Sequence, residues 1–546
     1  MGASSSTAQN ASEQRELESL VASTGALPML QHTFSKISDP QSNTIPSQSL
    51  QECFNMDYKT PDFEAHGSNN NSMSDSFCLL VDNLGESIVQ LFFVVDKGGG
   101  VSWIELLRGY LNCCGRVPAS VALNVLLKLF CTTCAKAGLP LKLEFEPMND
   151  DDGKIGGFVL ATDVVMLLWI CWTMLWDSKT CTSLEGRGNL CLPDVSHLVL
   201  SAVVYCVEDS GGFDLWDCDI SALDVQIPAG KFVTWALTTV PCLTDCFTQF
   251  VNARLQNSAY PEQRNWEPST SSVGEILPKE TGDSHLLTCG RAWAISLTLR
   301  GTPSTEILKL YLPSGDSEAC DNLLYRSSLH GRGLNRFWSN IEGYNGPMLL
   351  LFCATSRDAH EVDTIDRKWI IGALTQQGFE NKDLFYGSSG NLYAISPVFN
   401  IFPASGKEKN FVYSHLHPTG RMYEAHPKPE GIAFGGTMGN ERIFIDEDFA
   451  KITVRHHAAD KTYKHGSLFP SQGFLAVEAL ILEVEVWGLG GKTPKSVQTS
   501  YKKREELFID QRRKIDLKTF TNWEDSPEKM MMDMMSNPNA ARREER

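Results

Sequence analysis

The hydrophobic period of the chain changes near residue 275, and that change constrains the fold more than any other feature. Before it, apolar residues recur at helical spacing, as in "SIVQLFFVVDKGGGVSWIELLRGYL", Ser87–Leu111. After it they alternate or run continuously over strand lengths. "GPMLLLFCAT" and "KWIIGALT" are uninterrupted apolar runs suited to the middle of a packed sheet, and "LILEVEVWGLGG" alternates Leu482, Val484 and Val486 with Glu483 and Glu485. "RAWAISLTLRG" alternates Trp293, Ile295, Leu297 and Leu299 with Ser296 and Thr298, which predicts a half-buried strand. "LNRFWSNIEGY" repeats Leu334, Phe337, Trp338 and Ile341 at helical spacing. An all-α region followed by an α+β region with two sheets packed face to face is therefore expected.

A chain of 546 residues, 42% of them apolar, holds more than one core. The expected organisation is a mostly disordered N-terminal segment (1–75), a helical domain (76–255), an α+β domain (275–491) and a charged, Met-rich, helical tail (492–546). Within the first segment "SEQRELESLVAST" predicts a helix with Ser12 as N-cap. The longest apolar run, Val164–Trp176, is too short for a bilayer core that needs about 20 helical residues, and predicts a buried helix. A net charge of −18 argues against nucleic acid as a general partner. Sixteen cysteines sit mostly inside apolar runs with no secretory signal before them, which predicts reduced, buried thiols. "MGASSST" places Gly2 and Ser6 as the M-G-x-x-x-[ST] acylation pattern requires, so Gly2 is the candidate lipidation site.

The helical region has the look of EF-hands without their ligands. With Glu105 as the twelfth loop residue, position one falls on Val94, three on Asp96 and five on Gly98. Aligning Gly153 with the invariant glycine of a second loop puts Asp150 and Asp152 at three and five, but Met148 at one and Val159 at twelve. A third segment keeps only the helix-entry residues Ile227, Phe232 and Trp235. Calcium needs six to eight oxygens, so tight binding is not expected, and no cofactor or metal is. A plain helical bundle fits any one of these segments equally well.

Four motifs in order and spacing, "NLLYRSSLHGRGLNRFWSNIEGYNGPMLLLF", "WIIGALT", "GIAFGGTMGNERIFIDEDF" and "LILEVEVWGLGG", resemble a TLDc domain over roughly residues 280–490. The EF-hand-like helices and "MGASSS" are similar to the lipidated subgroup of that family. The resemblance implies two packed antiparallel sheets with flanking helices, and no catalytic chemistry. It also implies protection against oxidative stress and binding to the vacuolar-type proton ATPase on an endomembrane such as the lysosome or vacuole. The chain departs from the family pattern at "SRDAHEVDTIDRKW" and "FGGTMGNE".

The glycines of "GIAFGGTMGNERIFID" precede a strand-like run, whereas a phosphate cradle needs a helix there, so Gly435 and Gly436 are read as turn residues. "GLGGKT" has Val486 where a P-loop needs its first glycine, and Pro494 follows it. "GSSG", Gly387–Gly390, lacks nucleophile-elbow spacing, and His456, His457 and His465 lack zinc spacing. His330 and Gly331 in "LHGRG", and Trp487, are candidate interaction or turn residues; His415 and His417 are weaker ones. "CTTC", Cys131–Cys134, has redox spacing inside an apolar helical run. A peroxide- or thiol-directed enzyme, a calcium-responsive protein and a nuclear protein addressed by "KKREELFIDQRRK" stand as alternatives to a membrane-associated adaptor. The methionines of "KMMMDMM" suit an adaptable binding surface or a loose tail equally.

Overall fold

The structure is a computed structural model, and it describes residues 3–56, 58, 61–63, 71–145, 155–181, 189–207, 214–260, 285–312, 322–356, 367–417, 428–523, 529, 531 and 535. Helix α1 spans Ala3–Thr24, so Ser12 lies inside it and is not its cap. Helices α2 (Leu27–Ile37) and α3 (Ser47–Phe54) follow. This corrects the expectation of a mostly disordered opening segment. Its apolar residues are sparse, but Leu30, Leu50 and Phe54 are fully buried, each stabilising by roughly 1.5–3 kcal/mol. Tertiary burial outweighs the polar composition.

Six more helices complete two pairs of helix–loop–helix units: α4 (Asn71–Phe92), α5 (Trp103–Cys114), α6 (Ala119–Lys136), α7 (Ala161–Thr180), α8 (Ser196–Cys206) and α9 (Ala229–Thr239). The α2–α3 and α4–α5 loops pair antiparallel, Ile45 opposite Val101. The α6–α7 and α8–α9 loops do likewise, Val159 opposite Ile227. Two residues before the paired position, three of these loops turn through a left-handed residue: Asn43 (φ 51°), Gly99 (φ 81°) and Gly157 (φ 83°). That is the sixth loop position of an EF-hand, where the chain bends sharply. The α6–α7 loop is therefore registered on Gly157, not Gly153. Its twelfth residue becomes Asp163, whose carboxylate accepts from the Leu160 N–H at 2.8 Å and caps α7. Helix α7 is buried almost all round, as its unbroken apolar run requires, and α10 (Asp245–Ala259) packs along it.

The "RAWAISLTLRG" strand is not formed: Cys289–Ser296 is helix α11. Ala292, Trp293, Ala294 and Ile295 are all buried, so neither face meets water and the apparent alternation carries no period. Helix α12 (Thr302–Leu308) follows. An eleven-stranded antiparallel sheet comes next. In chain order its strands are β1 (Leu323–Arg326), β2 (Met348–Ser356), β3 (Arg367–Thr375), β4 (Lys382–Tyr386), β5 (Gly390–Ser396), β6 (Asn400–Pro403), β7 (Val412–His415), β8 (Gly431–Thr437), β9 (Asn440–Asp446), β10 (Lys451–Val454) and β11 (Val477–Gly488). The spatial order is 4-7-8-9-10-11-2-3-5-6, with β1 beside β11.

The sheet curls into two layers, bringing Phe352 of β2 and Phe434 of β8 to 6.2 Å between ring centres. Leu350, Phe352 and Ala354 point into this inner core. The intervening Leu349, Leu351 and Cys353 point outward into a second core shared with the helical region. Both faces of β2 are thus buried, which is why its sequence is an unbroken apolar run. Helices α13 (Ser327–His330) and α14 (Leu334–Ile341) flank the sheet. Helix α15 (Lys492–Trp523) leaves it, tied down where Gln498 and Lys502 donate to the Asn340 carbonyl at 2.8 and 3.1 Å.

Candidate functional site

Gly2 lies outside the described residues. His330 closes the turn between β1 and α14: its Nδ1 accepts from the Arg326 N–H at 2.9 Å and its ring stacks on Tyr325. The Tyr325 hydroxyl donates to the Gly331 carbonyl at 2.8 Å. Gly435 and Gly436, at φ 69° and 80°, end β8 before the β8–β9 hairpin. A Cβ on Gly436 would come within 2.2 Å of the Asn440 carbonyl oxygen. Trp487 is buried, its indole N–H donating to Glu485 at 3.0 Å, so it is a core residue and presents no surface. The sheet gathers His330, Gly331 and Trp487 around β1 and β11 and leaves Gly435 and Gly436 three strands away.

Strand β11 carries what the alternation misread. A bulge places Ile481 opposite Ala354 and Glu483 opposite Cys353, making Leu482 the inserted residue. Leu482 and Leu480 are exposed, and Leu329 on α13 is 70% exposed. Phe474 and Leu475, in the turn before β11, are 74% and 84% exposed. Glu485, which the pattern places outside, is fully buried. It accepts from the Leu286 N–H at 2.9 Å, the Leu287 N–H at 3.3 Å and Trp487. Those bonds pin the chain where it enters α11. One strand therefore presents an open apolar row at one end and a charge-sealed junction at the other.

Near that junction a cavity of about 150 Å³ opens between the helical region and the sheet. Asp194, His197, Trp216, Arg291, Ser396 and Pro397 line it. The start of α8 is held against the sheet by the Phe399 N–H, which donates to the His197 carbonyl at 3.0 Å. Burial lowers the His197 pKa to about 4 against the pull of Asp194, with Arg291 adding to the depression, so the ring is neutral. It bonds the Gly290 backbone through one nitrogen. Its Nε2, like the Trp216 indole N–H, is buried without a hydrogen-bond partner. The Arg367 guanidinium lies 5.5 Å over the Trp216 ring. No motif signals this cleft, because its residues come from separate stretches of chain.

Burial pushes the thiols of Cys131 and Cys134 upward, the reverse of what activates a redox pair. Among the described residues no group of three His, Cys, Asp or Glu could hold a metal ion.

Residues 301–490 match the family profile described as the TLDc domain. Two proteins named "Restriction of telomere capping protein 5" are similar to the chain. That of Kluyveromyces lactis is 28% identical over 174 residues, 30% of this chain and 30% of the relative. That of Pyricularia oryzae is 23% identical over 257 residues, 39% of this chain and 40% of the relative. Human "MTOR-associated protein MEAK7" is 24% identical over 170 residues, 31% of this chain and 32% of the relative. The aligned part thus spans well under half the length of these relatives.

Proposed function

Because residues 301–490 form a TLDc domain, we propose that this protein is a non-enzymatic adaptor that regulates a larger assembly by docking on it. The assembly is the peripheral part of the vacuolar-type proton ATPase, and the cellular role is a contribution to oxidative-stress protection. The observation that carries the docking reading is the apolar row of Leu329, Leu480 and Leu482, with Phe474 and Leu475 at its end, held open on a rigid sheet. A relative named for association with mTOR supports a protein-interaction role in general. Acylation at Gly2 supplies a weak anchor on an endomembrane. One myristoyl chain binds only marginally, so the protein contact supplies the remainder as the second arm of a bivalent attachment.

Affinity purification of the full chain with its native N-terminus tests this. Peripheral ATPase subunits are expected to co-purify, at least about tenfold less with Leu480→Asp/Leu482→Asp, a loss of 1.4 kcal/mol or more. Gly2→Ala is expected to shift protein from membrane to soluble fractions. The reading fails if the ATPase is absent from the wild-type eluate.

A further inference from the structure

In the antiparallel order β7-β8-β9-β10-β11, the ends of β8 and β10 and the starts of β7, β9 and β11 fall together at one end of the sheet. Two tips project there. Residues 473–476 are exposed one after another, and so are residues 437–440 at the turn of the β8–β9 hairpin. Successive residues of a strand alternate between faces, so an unbroken exposed run stands clear of the sheet. Phe474 and Leu475 crown one tip and Met438 the other. Contacts knit these tips to the β6–β7 loop. The Phe474 ring stacks on His456 at 4.7 Å, and Asn410 donates to the Gly436 carbonyl at 2.8 Å. The Glu408 N–H donates to the Lys461 carbonyl at 3.0 Å, and the Lys464 N–H to the Pro403 carbonyl at 2.8 Å.

The chain carries a net charge of −18, yet this end is basic. Its acids are spent: Glu408 meets Lys461 at 3.2 Å, Glu441 meets Arg455 at 3.4 Å and Asp460 meets Arg442 at 2.8 Å. Lys407, Lys409 and Lys464 are exposed and meet no acidic side chain among the described residues. We propose that this end of the sheet docks on an anionic phospholipid surface, with Phe474, Leu475 and Met438 entering the headgroup layer and the lysines facing lipid phosphates. A folded partner would need a matching pocket for each convex tip, whereas a fluid headgroup layer closes round them. Such binding grows with the apolar area inserted and with each basic side chain at the surface. It supplies the second contact that a single acyl chain at Gly2 requires. It does not rest on ATPase docking. Phe474 and Leu475 adjoin both surfaces, so the lysines on one side and Leu480 and Leu482 on the other tell them apart.

Sedimentation with vesicles tests this, using the full chain with Gly2→Ala to remove any acyl contribution. The vesicles are phosphatidylcholine alone or with about 30% phosphatidylserine. Partitioning is expected to be at least about tenfold stronger on the anionic vesicles and to weaken as salt is raised. Lys407→Gln/Lys409→Gln/Lys464→Gln and Phe474→Ser/Leu475→Ser should each cut anionic-vesicle binding at least about tenfold. Neither should shift the melting temperature, because all these side chains are exposed. Leu480→Ser/Leu482→Ser, on the face of the sheet, should leave vesicle binding within about twofold of the parent. The lysine variant should still capture the ATPase, so the two readings fail separately. The proposal is overturned if the chain shows no preference for anionic vesicles, or if either loop variant binds them as well as the parent. It is equally overturned if the Leu480/Leu482 variant loses as much vesicle binding, or if this end captures an acidic protein and no vesicle.

Discussion

The helical region and the sheet each bury an arginine, and they satisfy it differently. Arg254 on α10 meets Asp177 on α7 side chain to side chain, with Nε 2.6 Å from Oδ2 and Nη2 on Oδ1. Arg442 on β9 donates through Nη1 to Asp460 at 2.8 Å and to the Lys464 carbonyl at 2.7 Å, and through Nη2 to the Gly466 carbonyl at 2.8 Å, while its buried Nε has no partner. Helices use nearly all their own carbonyls, so a charge between two helices must find another side chain. The irregular 460–466 stretch has carbonyls to give, and Arg442 holds it in shape. In the helical region the buried charge is a pair; in the sheet it is the centre of a loop.

Replacing Arg442 should produce the largest loss. Arg442→Met leaves Asp460, 1% exposed, and two carbonyls without their donor, which should cost about 3–5 kcal/mol in chemical denaturation. Adding Asp460→Asn should not restore stability, because Asp460 also accepts from the Thr462 and Tyr463 N–H groups and the carbonyls stay orphaned. The helical pair should behave otherwise. Arg254→Met alone should cost a similar amount, since Asp177 is fully buried. The double variant Arg254→Met/Asp177→Leu should return to within about 1 kcal/mol of the parent, because an apolar pair can replace an ion pair joined side chain to side chain. If both double variants recover, or neither does, the contrast between the regions is wrong.

At the seam the charge is withheld instead of paired. The folded pKa of His197, about 4, lies below the ordinary 6.5, so the unfolded chain takes up a proton first as pH falls. Stability is then complete above pH 6.5 and declines toward pH 4, by on the order of 3 kcal/mol from this one group. Denaturation midpoints for wild type and His197→Gln across that range should converge as pH drops, because glutamine carries no titration. Parallel curves would mean that His197 is hydrated and its neighbours do not hold it neutral.

How much of this was legible depends on how many sides of each element meet water. Met348–Ser356 and Arg367–Thr375 read as strands because continuous apolar runs of that length suit a sheet buried on both faces. Cys289–Ser296 misread as a strand for the complementary reason: a helix enclosed on every side shows no helical stripe. The EF-hand-like pattern was visible, but its register was not, since Gly153 and Gly157 both precede apolar runs and only the left-handed turn at Gly157 decides between them. The first hand was invisible because Leu30, Leu50 and Phe54 are few and need the neighbouring hand to bury them. One bulged residue at Leu482 was enough to exchange inside and outside along β11. The cleft depends on long-range placement that no local spacing encodes.

That bulge sets up the smallest effect and the closest test of the contrast between side-chain and main-chain satisfaction. Glu485 is a buried anion held by both kinds of group: the main-chain N–H groups of Leu286 on Oε1 and Leu287 on Oε2, the Trp487 indole N–H on Oε2, and His285 Nδ1 at 3.2 Å and Arg326 Nε at 3.6 Å from Oε1. Glu485→Gln preserves shape and removes the charge, but its amide nitrogen cannot accept, so one oxygen's worth of donors is left facing an N–H₂ group. The expected cost is about 1–3 kcal/mol, less than at Arg442 because the other oxygen keeps its bonds. Hydrogen exchange localises the effect: Leu286 and Leu287 amides should exchange faster in Glu485→Gln while the strands of the inner core stay as protected as before. If protection fell uniformly across the sheet, Glu485 would be holding the sheet together and not the entry of α11, and the distinction between a charge that shapes a loop and one that bonds two elements would not hold there.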